Sequence, residues 1–127
     1  MQMSSSRRTV VSFEDCKFEP LPMFGGVEGT LTWCNVSYDE ATGCGSYLLI
    51  MAPGASSIPH RHAGREEFFV VEGELVDFDG QVYRVGDFVS LAAGTAHTSL
   101  TTQGCKLLVT AWGRTQRVSI DELEPLS

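Results

Sequence analysis

The most informative part of the chain is the segment GASSIPHRHAGREEFFVVEG, residues 54–73. Its two histidines, His60 and His62, stand two positions apart, and such positions face the same side of an extended strand. Glu66 follows four residues later with the same parity, so its side chain faces that side too if a strand resumes there. Two imidazoles beside a carboxylate suit a first-row divalent ion, and the segment lacks the thiolates that structural zinc sites commonly use.

The third candidate ligand is His97, which follows the turn residues 92–95. From a neighbouring strand it can supply another nitrogen to the same ion. A His-x-His pair near a glutamate also occurs in proteins that bind no metal. On these residues alone, a metal site and an ordinary strand both remain open.

Around this segment, short strand-like runs alternate with breaks that mostly contain glycine. The runs predicted as strands are 9–13, 30–37, 46–52, 67–72, 75–78, 81–84, 87–91, 97–101 and 105–112. Asp79-Gly80 between two of these runs predicts a two-residue hairpin. Many short strands rich in β-branched and aromatic residues indicate an all-β sandwich or barrel. Only residues 119–123, where Ser119 and Glu122 have capping-box spacing, predict a helical turn.

Composition limits the possible partners. The chain has 127 residues and a net charge of −7, which suits one domain and disfavours nucleic acid and membrane surfaces as partners. The longest apolar run, residues 47–52, is too short to span a bilayer. No apolar stretch follows Arg7 and Arg8, so we predict no secretory signal and expect a cytoplasmic location.

Two further groups of residues, four acidic residues and the four cysteines, are given no role in catalysis or binding. The acidic residues near the hairpin are taken as a solvated strand edge: Glu72, Glu74, Asp77 and Asp79. The cysteines form no CxxC pair, and we expect them to be free thiols: Cys16, Cys34, Cys44 and Cys105.

Residues 54–73 resemble the first cupin motif at every fixed position: Gly, five residues, His-x-His, three residues, Glu, six residues, Gly. Residues 86–101 resemble the second cupin motif in part, and the matching positions are Gly86, Gly94 and His97. Ala92 stands where the motif usually has proline, and Thr101 where it usually has asparagine. Neither departure removes a candidate ligand.

The resemblance implies an all-β, single-domain double-stranded β-helix, which is the cupin jelly-roll barrel. It implies an N-terminal tail and arm over residues 1–29, the barrel over 30–113 and a C-terminal tail over 114–127. It also implies one divalent transition metal per chain, with iron expected and zinc, nickel, manganese, cobalt or copper as alternatives. The implied ligands are His60, His62, Glu66 and His97, which leave one or two open positions on an ion that prefers five or six.

Among cupins, residues 60–112 look closest to the ChrR-like and acetylacetone-dioxygenase-like group. A chain with the full anti-sigma architecture should also carry an N-terminal zinc-binding helical domain. The sequence has no Cys/His cluster before residue 54, which counts against a transcriptional role.

Strand parity also predicts the walls of a pocket around the metal. If Glu66 and His97 face the interior, every second residue from each of them along its strand faces the interior too. The resulting chamber is mostly apolar, which suits a small organic ligand. The predicted pocket residues are Leu48, Ile50, Phe68, Val70, Phe88, Ser99 and Thr101, with Tyr47 and Leu49 as the alternative to the first pair.

Three functions fit these features. The first is a non-haem Fe(II) dioxygenase that cleaves a carbon–carbon bond in a small β-dicarbonyl compound, with Glu66 as a ligand or as a base. The second is a non-enzymatic cupin that binds metal and ligand as a sensor. The third is a metal-dependent isomerase or lyase, for which more inward charge than Glu66 alone is expected.

A homodimer is the expected assembly. The arm of residues 9–24 carries apolar side chains that the barrel pattern leaves uncovered, and small jelly rolls have sheet edges to protect. These side chains are Val10, Val11, Phe13, Phe18 and Phe24.

Overall fold

Nearly every regular element of the protein is a β-strand. The computed structural model describes residues 2–4, 7–22 and 30–127, and within these ranges the backbone forms thirteen strands. They are β1 (Gln2–Ser4), β2 (Thr9–Val11), β3 (Glu19–Pro20), β4 (Leu31–Asn35), β5 (Cys44–Met51), β6 (His60–His62), β7 (Glu66–Asp77), β8 (Val82–Arg84), β9 (Phe88–Leu91), β10 (Ala96–His97), β11 (Ser99–Leu100), β12 (Cys105–Trp112) and β13 (Thr115–Arg117). In the same ranges the helical elements are two single 3-10 turns, Phe13–Asp15 and Ile120–Glu122, and no helix is long and apolar enough to cross a membrane.

The strands form two antiparallel sheets and a short ribbon. The larger sheet has the order β11-β7-β12-β5-β4-β3, with β8 and β9 also paired to β7. The smaller sheet has the order β10-β6-β13, and β1 pairs with β2. Side chains from both sheets line one cavity, so the two layers enclose a common interior. The all-β, double-sheet architecture predicted from the sequence is confirmed.

Strand β7 is longer than the sequence predicts. It runs unbroken through Gly73, where a break was expected, and its two halves pair with different strands: β9 before Gly73 and β8 after it. Gly73 has a φ of +76°, and a Cβ atom there would lie 2.0 Å from the carbonyl oxygen of Gly104. The glycine therefore lets the backbone of Gly104 approach closely, and the strand continues through it instead of ending there.

A hairpin and a helical turn form at the predicted places. Asp77 accepts a hydrogen bond from the Gly80 amide at 2.9 Å and donates its own amide to Gln81 O at 2.9 Å. These bonds close a hairpin whose loop spans residues 78–80, one residue more than the two-residue turn predicted at Asp79-Gly80. The predicted helical turn is the 3-10 turn Ile120–Glu122, and its capping box forms between Ser119 and Glu122.

The chain ends contribute strands that the sequence did not indicate. Strand β13 lies in the predicted C-terminal tail and pairs with β6, so that Thr115 stands opposite His62. In the predicted N-terminal arm, β3 pairs with β4. Phe24 of that arm lies outside the described residues.

The core lies between the sheets and borders the cavity. Its buried members are Leu31, Leu49, Met51, Ala55, Phe68, Val70, Leu75, Tyr83, Leu91, Cys105, Leu107 and Val109. Most of these residues come from β5, β7 and β12, where β12 pairs with β5 over its full length and with β7 from Glu66 to Gly73.

Candidate metal centre

Three buried histidines meet at one end of the interior. His60 and His62 lie on β6 with both rings buried, whereas Arg61 between them is half exposed and donates to Gly94 O at 2.8 Å. His97 on β10 stands directly opposite His60 in the antiparallel pairing. One ring nitrogen from each histidine lies within 4.8 Å of the other two.

The second nitrogen of each ring is held by an oxygen acceptor. The Nδ1 contacts are His60 with Ile58 O at 2.6 Å, His62 with Glu66 Oε2 at 3.0 Å and His97 with Asp77 Oδ1 at 3.0 Å. A carbonyl or carboxylate oxygen only accepts, so each Nδ1 carries the proton. The three Nε2 atoms then keep their lone pairs, which is the tautomer that metal ligation needs.

The contact between His62 and His97 supports a cation site. Their Nε2 atoms lie 3.0 Å apart in a buried setting, where two lone pairs repel unless a positive charge is shared between them. Two nitrogens bound at right angles to one ion, each about 2.1 Å from it, are about 3.0 Å apart. The residues present therefore fit a divalent transition-metal ion.

The protonation of His60 agrees with a ligand role. Burial, followed by the neighbouring His97 and His62, lowers the pKa of His60 from 6.5 to about 4. Its ring is therefore neutral at pH 7, as a metal-binding imidazole must be.

Glu66 lies beside the three histidines rather than among their converging nitrogens. Its carboxylate accepts from His62 Nδ1, on the side of the ring away from His97, and its side chain is buried. Burial raises the pKa of Glu66, but the hydrogen bond from His62 and the electrostatic interactions with the three histidines outweigh this and lower the pKa overall. Glu66 is thus a carboxylate at neutral pH that fixes the His62 ring.

Asp77 corrects one prediction. It was interpreted as part of a solvated strand edge, but it is 2% exposed and holds His97 from behind. Its carboxylate also accepts from the Tyr83 hydroxyl at 2.8 Å and the Ser99 hydroxyl at 3.1 Å. Burial raises the pKa of Asp77, but the hydrogen bond from His97 and the electrostatic interaction with it, together with the Tyr83 and Ser99 hydrogen bonds, lower the pKa overall.

The sequence did contain a signal for Asp77. It has the parity of the buried Leu75 on β7, so counting from Leu75 places it inward. Counting from Glu66 does not, because the register of β7 against β12 shifts at a β-bulge between Val70 and Glu72, and the inward phase changes there. The other acidic residues of that cluster, Glu72, Glu74 and Asp79, are exposed as expected.

The histidines and Glu66 line a cavity of about 70 Å³ between the two sheets. A space of this size holds a few water molecules, or an ion with a small ligand. Its apolar wall is formed by Leu21, Leu31, Leu49, Met51, Phe68, Leu75, Leu107 and Val109, and its hydroxyl-bearing residues are Tyr47, Ser57, Ser99 and Thr115. Thr115 and Leu21, which the sequence did not suggest, come from the two chain ends.

The structure places only two of the seven predicted pocket residues, Phe68 and Ser99, at the cavity. On β5 the cavity side is taken by the alternative pair, Tyr47 and Leu49. The first pair, Leu48 and Ile50, lines a groove with Phe13 and Phe18 on the opposite side of the sheet.

The remaining three predicted pocket residues have other contacts. Val70 is fully buried in the core, and the Thr101 hydroxyl donates to Glu74 O at 2.6 Å. Phe88 is 64% exposed, because its register pairs it with Phe69 on the outer face of the sheet.

Comparison with known proteins agrees with this architecture. Residues 6–114 match the family described as the ChrR cupin-like domain. Among solved structures, an acetylacetone dioxygenase from Acinetobacter johnsonii superposes with a TM-score of 0.75 at 17% identity, over 95% of this chain and 83% of that one. The polyketide cyclase RemF from Streptomyces resistomycificus gives a TM-score of 0.69 at 24% identity, over 89% and 87%.

A third structure, Rhodobacter sphaeroides SigE in complex with the anti-sigma factor ChrR, gives a TM-score of 0.61 at 19% identity. The match covers 79% of this chain and 50% of that one. No curated protein matches the sequence. At these identities the likeness establishes the fold, and the predicted cupin jelly roll is confirmed.

Proposed function

We propose that this chain, which belongs to the family of ChrR cupin-like domains, is a metal-dependent dioxygenase acting on a small β-dicarbonyl compound. It binds one divalent ion, iron(II) in the active form, through His60, His62 and His97. The observation that carries the proposal is the meeting of three buried imidazoles at one end of a small, mostly apolar cavity. The structural likeness to an acetylacetone dioxygenase supports the substrate class.

The three ligand rings are pre-oriented by their Nδ1 contacts. Bound iron supplies Lewis acidity toward an enolate and the electrons that activate O₂. The chain supplies the fixed tautomers: Ile58 O, Glu66 and Asp77 each accept one Nδ1 proton. These acceptors keep the nitrogens facing the cavity in position and raise their basicity.

Glu66 is the base in this proposal. Of the described residues that line the cavity, it is the only one with a carboxylate. It is ionised at neutral pH, so it can take the proton from the carbon between the two carbonyl groups. As that proton arrives, its hydrogen bond from His62 must weaken, which couples proton transfer to the position of a ligand ring.

The cavity walls select a small and moderately polar substrate. Phe68, Leu49 and Leu107 surround it with apolar surface, which excludes water and leaves room for few non-hydrogen atoms beyond an ion. Burial, and then the charge of Glu66, raises the pKa of Tyr47 well above 10, so its hydroxyl stays protonated as a hydrogen-bond donor.

Oxygen uptake tests the proposal. The chain is loaded with Fe²⁺ without air and mixed with aerated pentane-2,4-dione, and we expect one O₂ consumed per carbon–carbon bond cleaved. Glu66→Gln should keep its iron and lose turnover rather than substrate binding, because proton transfer contributes mainly in the transition state. Loss of iron from this variant would instead make Glu66 the fourth ligand.

Glu67→Gln is the matched control. Glu67 is the next residue on β7, faces away from the cavity and should leave both iron content and turnover unchanged. No oxygen uptake by fully iron-loaded wild-type protein, over a panel of diketones, keto acids and phenols, would contradict the dioxygenase assignment.

The second candidate is a non-enzymatic cupin that binds metal and a small ligand. The small volume of the cavity favours it, because an ion with its water ligands can fill much of the available space. On this alternative, diketones shift the melting temperature of the metal-loaded protein without consuming O₂. An isomerase or lyase is disfavoured, because Glu66 is the only carboxylate among the described cavity residues.

A further inference from the structure

Two cysteines from separate elements lie in direct contact outside the metal centre. Cys16 follows the 3-10 turn Phe13–Asp15, and Cys34 lies on β4, eighteen positions further along the chain. The thiol of Cys34 donates to the sulfur of Cys16, with the two Sγ atoms 2.6 Å apart. Both residues are half-buried.

The fold brings these sulfurs together through backbone pairing. Between the two cysteines the chain turns back on itself, so that β3 lies antiparallel to β4 with Glu19 opposite Trp33 and Pro20 opposite Thr32. The Leu21 amide extends the ladder by donating to Leu31 O at 3.0 Å. The thiol contact stands at the other end of this ladder, where the arm joins the sheet.

We propose that Cys16 and Cys34 form a reversible disulfide that fastens the N-terminal arm to β4. The sulfurs are already closer than non-bonded contact, and an S–S bond of about 2.05 Å needs only a small further approach. The oxidant is a low-molecular-weight disulfide such as oxidised glutathione. This inference goes beyond the proposed function and does not depend on a bound metal.

The exchange proceeds in two steps. The Cys16 thiolate attacks one sulfur of glutathione disulfide, forms a mixed disulfide and releases one glutathione thiolate. The deprotonated Cys34 then attacks the Cys16 sulfur and releases the second glutathione. The two protein thiols lose two protons and two electrons, and one glutathione disulfide becomes two glutathione thiols.

The order of attack follows from the surroundings of Cys34. Burial, followed by the hydrogen bond and charge of Cys16, raises the pKa of Cys34 to about 11. Cys34 is therefore a thiol at neutral pH and a poor first nucleophile, whereas Cys16 next to it is positioned to react first.

The disulfide would restrain a segment of the chain that lines the metal cavity. It closes a loop from residue 16 to residue 34, and Leu21 and Leu31 within that loop both line the cavity. Linking the loop ends restricts the unfolded chain and holds the β3–β4 ladder together. Oxidation of the two half-buried thiols would therefore restrict the motion of the backbone that carries Leu21 and Leu31 at the cavity wall.

Peptide mapping tests the bond directly. The metal-free chain is equilibrated in glutathione redox buffers, alkylated and digested with trypsin, which cleaves after Arg8, Lys17 and Arg61. We expect peptides 9–17 and 18–61 to be joined in the wild type. Cys44 also lies on peptide 18–61, so Cys44→Ser is the matched control and should keep the joined peptides. Cys16→Ser and Cys34→Ser should lose them.

Two measurements test whether the disulfide stabilises the fold and the β3–β4 ladder. The oxidised protein should melt roughly 5–10 °C above the reduced protein, and this difference should vanish in Cys34→Ser. Exchange of the Leu21 amide hydrogen should be slower when oxidised. Complete alkylation of both thiols at every glutathione ratio, pairing with Cys44, or equal joining in native and urea-unfolded chain would overturn the proposal. Joined peptides without a melting shift would overturn the fastening role.

Discussion

Replacing Asp77 by Asn should weaken metal binding without changing any residue that lines the cavity. The carboxylate accepts from His97 Nδ1 at 3.0 Å, from the Tyr83 hydroxyl at 2.8 Å and from the Ser99 hydroxyl at 3.1 Å. Asparagine has the same size but replaces one oxygen with an NH₂ donor. One of the three donors then faces another donor, and His97 loses the negative charge behind it.

The size of the effect follows from this geometry. Losing a carboxylate behind a ligating histidine typically lowers metal affinity about 10–100-fold, which corresponds to about 1.4–2.7 kcal/mol. Asp77 is 2% exposed, so water cannot supply the missing acceptor, and we expect the upper part of that range. The metal-free variant should also lose about 1–3 kcal/mol of stability, because a buried donor is left unpaired.

A competition titration measures the affinity. Zn²⁺ is partitioned between the protein and a chelator of known affinity, at a temperature where urea unfolding shows that the variant is folded. The control is Asp79→Asn, two residues away on the same hairpin, where the side chain is exposed and accepts from the local Gln81 amide at 3.1 Å. If Asp77→Asn binds Zn²⁺ as tightly as Asp79→Asn does, Asp77 does not position His97.

Three further predictions concern stability and assembly. In metal-free protein the free energy of unfolding should fall by about 3 kcal/mol as the pH drops from 6.5 to about 4. The pKa of His60 is lowered over that interval, so the unfolded chain takes up the proton first; an equally large fall in His60→Gln would contradict this. Gly73→Ala should cost about 2–5 kcal/mol in urea unfolding, because a side chain there is both strained and obstructed. Gly80→Ala, with a φ of +91° but nothing within 4 Å, should cost about 1 kcal/mol, and equal losses would refute the steric argument. Phe69 and Phe88 form an exposed apolar pair on the sheet, 38% and 64% exposed, and light scattering should report a homodimer; a mass near 13.8 kDa at micromolar concentration would exclude it.

The convergence of the histidines could be predicted because it depends on regular geometry. Alternation along β6 places His60 and His62 on one face, and the motif spacing brings His97 to the neighbouring strand. The hairpin at Asp79-Gly80 was predictable for a similar reason, since its turn chemistry is local.

The predictions of which side chains face the cavity fail in two situations. In one, the regular strand geometry is interrupted; in the other, the hydrophobic periodicity does not distinguish the two faces of the strand. The inward phase of β7 changes at the β-bulge between Val70 and Glu72, so counting from Glu66 misplaces Asp77. The apolar run on β5 has no polar alternation, and only pairing with both neighbours shows that Leu49 rather than Leu48 faces the cavity. Thr115 belongs to a three-residue strand, which is too short to carry a hydrophobic period.

The metal content of the purified chain and one ligand variant tests the central claim most directly. Wild-type protein, His62→Ala and the control Arg61→Ala are each exposed to Fe²⁺ or Zn²⁺, desalted and measured by elemental analysis. Arg61 lies between His60 and His62 but donates outward to Gly94 O, so its loss should leave the site intact. We predict one metal equivalent per chain in the wild type and in Arg61→Ala, and none in His62→Ala. A full equivalent retained by His62→Ala, or none bound by the wild type, would contradict the assignment of the three histidines as the metal centre.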